Sequence, residues 1–334
     1  MPIHSLHLVR RPVGEPADTD FELRTRDDTP LAEGQVRIAV SHVSIDPAMR
    51  IWMTEQKSYW PPVALGEVMR AAGIGRVVES NGGRYPVGTW VSGMTGVTDT
   101  VVGDGRGFRP FDGAALPDPR WALSVFGATG LTAYFGLTDI GQAKAGEVVV
   151  VSAAAGAVGS TVVQIAKNLG CRVIGIAGGP EKCAWVRDTL GADEVIDYKN
   201  EKVGKRLAET CPDGIDVYFD NVGGEILDSV LKRLRLKARI VVCGGISQYN
   251  ATGTPVGPAN YLSLISARAR MEGFVVIDYL DRAGEAIAAM APWAAAGQLT
   301  SRIDEVVGIE QFAEALRRVL AGRNFGKQVL KVGA

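Results

Sequence analysis

Between Glu147 and Gly170 the chain reads EVVVVSAAAGAVGSTVVQIAKNLG: a β-branched run, a turn of small residues, then a helical apolar period. Glu147 to Ser152 predicts a buried strand, and Ser160 to Leu169 predicts a helix that Gly170 ends. Ala153 to Gly159, between them, hold no side chain larger than valine. Alanine or glycine at Ala154, Gly156 and Gly159 lets the backbone turn tightly. A pyrophosphate can then approach the N–H groups that open the helix, those of Ala157 and Val158 among them. The helix dipole favours an anion there. A glycine pattern alone is a weak signal, and this one opens with Ala154. Its setting between strand and helix, with more such units following, reads as a dinucleotide site. A tight connection in an ordinary parallel sheet is the alternative.

Enzymes that hold NAD commonly place an acidic side chain about 20 residues after the glycine turn, on the ribose 2′-hydroxyl. Here the second strand ends at Ala177-Gly178-Gly179 with no carboxylate at its tip, which leaves room for a 2′-phosphate. Lys182 falls in the first turn of the next helix, against the dipole. A phosphate partner explains that placement; a solvated surface lysine is the other reading. Glu181 beside it either repels such a phosphate or simply favours the helix N-terminus. The expected cofactor is NADPH. Tyr198, closing the third strand, reaches the adenosine side or packs its own loop. Parallel sheets bind ligands at the carboxyl ends of their strands. That places Asp220-Asn221-Val222-Gly223 and the run Cys243 to Tyr249 near the nicotinamide half, again with loop packing as the alternative.

The elements that must position these residues differ along the chain. Residues 1–122 hold short β runs punctuated by Gly and Pro, such as QVRIAVSHVSI and GIGRVVES, and predict a compact barrel-like β domain. Residues 123–295 alternate strands with helices: RVIGIA (172–177), a helix from Glu181 to Leu190, EVIDY (194–198) and a helix over 202–210. IDVYFDN (215–221), a helix over 224–234 and RIVVCG (239–244) follow. The fold class is therefore α/β, with a doubly wound parallel sheet beside a β-rich domain. The Ala-rich stretch 283–298 predicts a last helix, kinked or split at Pro292. Residues 296–334 return to strand, helix, strand and are expected to rejoin the first domain. The site would then lie in a cleft between the domains.

With 334 residues, 36 of them basic and 37 acidic, the chain has room for about two domains and carries no electrostatic footprint for nucleic acid or an anionic membrane. No apolar run reaches the roughly 18–20 residues that span a bilayer, and the start MPIHSLHLVRRPVGEP lacks a signal-peptide core, so a cytoplasmic location is expected. Cys171, Cys183, Cys211 and Cys243 show no CxxC spacing and read as reduced packing residues. His4 and His7 would face opposite sides of a strand, and no HExxH occurs, so no metal is expected.

Several motifs recur together: SAAAGAVG (152–159), GGPEKC (178–183), IDYKN (196–200), FDNVGG (219–224), CGGISQYN (243–250) and RNFGK (323–327). RRPVGEP (11–17), SIDPAMR (44–50), LGEVMR (65–70) and GLTAYFGL (130–137) accompany them. Over nearly its whole length the chain resembles the zinc-independent medium-chain dehydrogenase/reductases, in the branch of prostaglandin, alkenal double-bond and curcumin reductases. The resemblance implies a GroES-like catalytic domain, a Rossmann domain that binds NADPH, and a homodimer. It also implies hydride transfer to the β-carbon of an α,β-unsaturated ketone or aldehyde, without a metal. Lys182 and Tyr198 would serve the 2′-phosphate. Asn221, the run Cys243, Gly244, Gly245, Ile246, Ser247, then Phe274, Val275, Val276 and Asn324 would complete the cofactor site. Tyr249 resembles the tyrosine that holds the nicotinamide ribose or the substrate carbonyl. Its O–H, or the ribose 2′-hydroxyl, would stabilise the enolate, and solvent or the tyrosine would protonate the α-carbon.

Two departures bear on the substrate. Ala48 stands where the family often has a tyrosine, and Val97 lies in a segment, Gly96 to Thr100, that is often Trp-Gln-Glu-Tyr-like. Both remove aromatic surface from the expected substrate pocket; Tyr59 and Trp60 partly refill it or only pack the surface. A quinone reductase on the same scaffold and a non-catalytic NADPH-binding protein are the competing readings.

Overall fold

The computed structural model describes residues 2–333. Its chain divides into two compact units, Ser124–Arg302 and a second made of the segment up to Leu123 with the segment from Ile303 onward. In chain order the strands begin with β1 (Ile3–Leu8), β2 (Phe21–Arg26), β3 (Gln35–Ser44), β4 (Ala72–Asn81), β5 (Trp90–Met94), β6 (Thr100–Gly103) and β7 (Arg109–Phe111). One short helix, α1 (Ala48–Trp52), lies among them. After α2 (Ala128–Phe135) come β8 (Val148–Ser152), α3 (Ala157–Asn168), β9 (Arg172–Ala177), α4 (Pro180–Asp188), β10 (Glu194–Asp197) and α5 (Val203–Thr210). Then follow β11 (Ile215–Asp220), α6 (Gly224–Leu231), β12 (Leu234–Val242), α7 (Ser263–Ala267) and β13 (Arg270–Gly273). The order closes with α8 (Ala283–Ala295), β14 (Ile303–Val307), α9 (Phe312–Leu320) and β15 (Lys327–Lys331).

The unit Ser124–Arg302 is built on six strands in the order β10-β9-β8-β11-β12-β13, every neighbouring pair parallel. β8 is buried along its whole length, as a central strand covered by helices on both faces must be. Val162, Val163, Ile165 and Ala166 of α3 are fully buried. The order reverses direction between β8 and β11, so their carboxyl ends flank the crevice where such sheets bind ligands.

In the other unit, β14-β15-β3-β4-β5-β7 form a mixed sheet, with β6 on β3 and a separate β1-β2 pair. Lys327 holds two of its segments together. It is 1% exposed, and its Nζ donates to Asp46 Oδ1 at 2.7 Å and to the Ile45 carbonyl at 3.2 Å. Ser44 Oγ donates to the other carboxylate oxygen of Asp46. Removing the cation leaves a partly buried carboxylate without its countercharge, so Lys327→Met is expected to cost about 3 kcal/mol. Chemical denaturation of the full chain measures it.

Two expectations about boundaries change. Of the two alternatives at Pro292, the split is excluded, because α8 runs on through it as one helix. Pro292 lies near its end and forfeits a single bond, to the Ala288 carbonyl. β12 begins at Leu234, not Arg239, and α6 ends at Leu231. Leu234 pairs with Ile215 and regular pairing resumes at Arg239 opposite Val217, so Arg235 and Lys237 lie in a register shift between them.

The four cysteines form no disulfide; Cys171, Cys183 and Cys211 are buried and Cys243 is half-buried. Burial pushes the Cys171 and Cys183 thiols up to about 11 and that of Cys243 to about 12.

Candidate cofactor site and active site

β8 leaves the sheet at Ser152, and Ala153 takes a left-handed conformation (φ +49°) before Gly156 caps α3. Gly156, Ala157 and Val158 are partly exposed, while Ala154 and Gly159 are buried beneath them. A Cβ on Gly159 would lie 2.3 Å from the Ala153 carbonyl oxygen, so only glycine lets α3 approach its own turn this closely. The first turn of α3 has no acidic side chain, and its N–H groups have no partners within the helix. That is a place for a pyrophosphate.

At the other end of β9, the turn Gly178-Gly179 leads into α4. Tyr198, 41% exposed, lays its ring on Gly178: a Cβ there would meet Tyr198 Cε1 at 2.7 Å. Asp197 secures the turn, accepting from the N–H groups of Gly179 (2.8 Å) and Lys199 (3.0 Å) and from Asn200 Nδ2 (2.7 Å). Burial pushes its carboxyl up, but these bonds outweigh burial and hold it below the usual carboxylate range. A carboxylate thus stands beside the turn after β9, occupied by Gly179, Lys199 and Asn200. Glu181, the acid beside Lys182, lies 3.7 Å from an Arg302 nitrogen. Its charge is matched, and a second cation stands near the start of α4.

The loop after β11 is tied to the end of β8, and the loop after β12 to the loop after β11. Asn221 gives its N–H to Ser152 Oγ (2.9 Å) and its Nδ2 to the Ser152 carbonyl (2.8 Å). The N–H groups of Cys243 and Gly244 donate to the Asp220 carbonyl, and those of Ile246 and Ser247 to the carbonyls of Asn221 and Val222. These bonds bring Tyr249 back over the end of β12. The Gly245 N–H donates to its hydroxyl oxygen at 3.2 Å, and a Cβ on Gly244 would lie 3.1 Å from that oxygen. Phe274, following β13, packs edge-on to Phe219, with centroids 6.5 Å apart, and to Tyr279, with centroids 6.2 Å apart. Its ring is thus a packing element, while Val275 and Val276 carry on from the end of the strand. A cavity of about 190 Å³ adjoins these loops, lined by Gly223, Gly244, Gly245, Gln248 and Val256 among others.

In the other unit, half-buried Ala48 opens α1. Tyr59 and Trp60 join an aromatic group that the motifs do not reveal. Trp52 Nε1 donates to Tyr59 Oη (3.1 Å), the Trp52 and Trp60 rings lie 5.4 Å apart, and the Arg70 guanidinium sits over both indoles. Val97 is completely buried, so its side chain offers no surface to a ligand; its N–H and C=O bond to Met69 and Leu6. Asn324, half-buried in the loop before β15, donates to the Gly326 carbonyl at 2.9 Å. His4 and His7 are engaged separately, with Asp99 and with Ser5 and the Gly66 carbonyl. Among the described residues no three His, Cys, Asp or Glu side chains converge as a ligand set for a metal ion.

Comparison with known proteins agrees with this architecture. Residues 4–111 match a family described as the N-terminal domain of oxidoreductase, and residues 157–294 one described as zinc-binding dehydrogenase. The chain is 42% identical to the NADPH-dependent curcumin reductase of Escherichia coli, over 97% of this chain and 95% of that one. It is 40% identical to rat prostaglandin reductase 1, over 95% of both. The crystal structure of CurA from Vibrio vulnificus in complex with NADPH superposes with a TM-score of 0.93 at 44% identity, covering 99% of each chain. With relatives this similar along its full length, the chain belongs to the zinc-independent medium-chain dehydrogenase/reductases, in the branch that holds the curcumin, prostaglandin and alkenal reductases.

Proposed function

We propose that the protein reduces the C=C bond of α,β-unsaturated ketones and aldehydes with NADPH. The observation that carries the reading is the placement of Tyr249, its hydroxyl set over the glycines that follow β12, beside a loop tied to the turn that would bind the pyrophosphate. The backbone fits the cofactor: Gly156 to Val158 would hold the pyrophosphate, and Lys182 with Tyr198 the 2′-phosphate. Asn221, Cys243 to Ser247 and Phe274 to Val276 would hold the nicotinamide half, with Asn324 as a further contact. Ala48, Tyr59 and Trp60 are the proposed substrate residues.

When bound, NADPH supplies the hydride that the β-carbon accepts. The negative charge that then develops on the substrate oxygen is an enolate, which needs one or two hydrogen-bond donors. Tyr249 supplies one. Its oxygen accepts from the Gly245 N–H, which fixes the position of the hydroxyl. The α-carbon takes its proton from solvent or from this hydroxyl. Tyr249→Phe keeps the ring and removes the donor, so kcat for an enone should fall about tenfold to a hundredfold while NADPH affinity stays within about twofold. Unchanged turnover would remove Tyr249 from the chemistry.

The activity itself is tested by following NADPH absorbance with a panel of enones, enals and quinones and identifying products by mass spectrometry. A saturated ketone or aldehyde is expected, and hydroquinone without any C=C saturation would overturn the reading. A homodimer and a cytoplasmic location belong to the same proposal. The dimer is supported by β13, an exposed strand at the open edge of the parallel sheet, and light scattering tests it.

A further inference from the structure

Asp220 ends β11, the strand beside β8, with 1% of its surface exposed. Four neutral donors converge on its Oδ1: the Tyr218 hydroxyl (2.8 Å), Ser152 Oγ (3.3 Å) and the N–H groups of Val222 (3.0 Å) and Gly223 (2.9 Å). Among the described residues no lysine, arginine or histidine pairs with it. Burial pushes this carboxyl up, and the groups acting most strongly against burial are those same neutral donors. The fold therefore buries a carboxylate with hydrogen bonds but without a countercharge, an arrangement that is costly unless something else supplies the positive charge.

The same residue suspends the loops assigned above to the nicotinamide half. Its carboxylate holds Val222 and Gly223, and its backbone carbonyl holds Cys243 and Gly244. A nicotinamide ring is neutral when reduced and positive when oxidised. We infer that the Asp220 carboxylate is the countercharge for the oxidised ring, so that it favours binding of NADP+ relative to NADPH and shifts the equilibrium between the two bound forms toward NADP+. The inference rests on the nicotinamide half lying at these loops.

Asp220→Asn keeps an acceptor oxygen for the four donors and removes the charge. The full-length wild type and variant are each titrated with NADP+ and with NADPH by calorimetry. The Kd for NADP+ should rise about tenfold relative to that for NADPH, the size expected for a unit charge acting through protein interior. Both ligands offer the same contacts apart from the ring, so a general loosening of the loops weakens them together and leaves the ratio unmoved. An unchanged ratio in a protein that binds both forms overturns the inference alone. A wild type that binds neither form overturns the cofactor assignment and the inference with it. If the asparagine variant does not fold, Asp220→Ser, neutral and still an acceptor, gives the same comparison.

Discussion

The Gly159→Ala protein should bind NADPH about a hundredfold more weakly than the wild type, because the added methyl has nowhere to go. It would meet the Ala153 oxygen at 2.3 Å, the Ala153 carbonyl carbon at 2.8 Å and Ala154 Cα at 3.0 Å. All three are backbone atoms, so no side chain can swing aside. Ala153 is already in the left-handed region and has little freedom to yield. Relief has to come from α3 moving away from its turn, which displaces the N–H groups of Gly156 to Val158 from a shared focus. Overpacking of this kind also costs about 1–3 kcal/mol of stability, so circular dichroism should accompany the calorimetric titration. Gly156→Ala is the informative contrast. Its methyl lies 3.2 Å from the Ala153 oxygen, so the turn needs to give only slightly. There, affinity should fall with little loss of stability, since the methyl obstructs the ligand more than the chain. Wild-type affinity in the Gly159 variant would mean that the turn does not hold the pyrophosphate.

Lys182→Ala should weaken NADPH by about thirtyfold, the effect of about 2 kcal/mol of charge-assisted hydrogen bonding, and leave NADH within about twofold. The asymmetry follows from the site. Asp197, the carboxylate beside the Gly178-Gly179 turn, is bound to Gly179, Lys199 and Asn200. Glu181 faces Arg302. Neither acid stands unmatched against a 2′-phosphate. Raising the salt concentration should narrow the gap between wild type and variant, as it does for exposed charge contacts. Equal weakening of both cofactors would show that Lys182 acts on the fold of α4 and not on the phosphate.

The phosphate turn was legible because its determinants are local. Four valines in β8, seven small residues and the apolar period of α3 each carry their own backbone preference, and all agree. The start of β12 was not legible. Arg235 and Lys237 interrupt the apolar pattern, and the strand begins before them only because Leu234 pairs with Ile215 of β11 across a register shift, which composition does not express. Pro292 reads as a break until its place near the end of an alanine-rich helix reduces its cost to one bond. At the site, Tyr249 and Asn221 could be singled out from their motifs, but the Ser152–Asp220 contact spans 68 residues. Likewise, Trp52 and Arg70 belong with Trp60 only because the chain folds back. Val97 was read from a substitution pattern; its burial depends on β1 and the segment around Met69 lying against it.

The placement of the cysteines has a consequence for how long the enzyme lasts. Enones and enals are electrophiles that alkylate thiolates by conjugate addition, so an enzyme that turns them over works in a solution of its own inactivator. With burial holding the Cys171 and Cys183 thiols at about 11 and Cys243 at about 12, on the order of one thiol in a thousand or fewer is ionised near neutral pH. Cys243 is the telling position, because it sits in the loop assigned to the nicotinamide half. Burial there keeps the sulfur out of its reactive thiolate form.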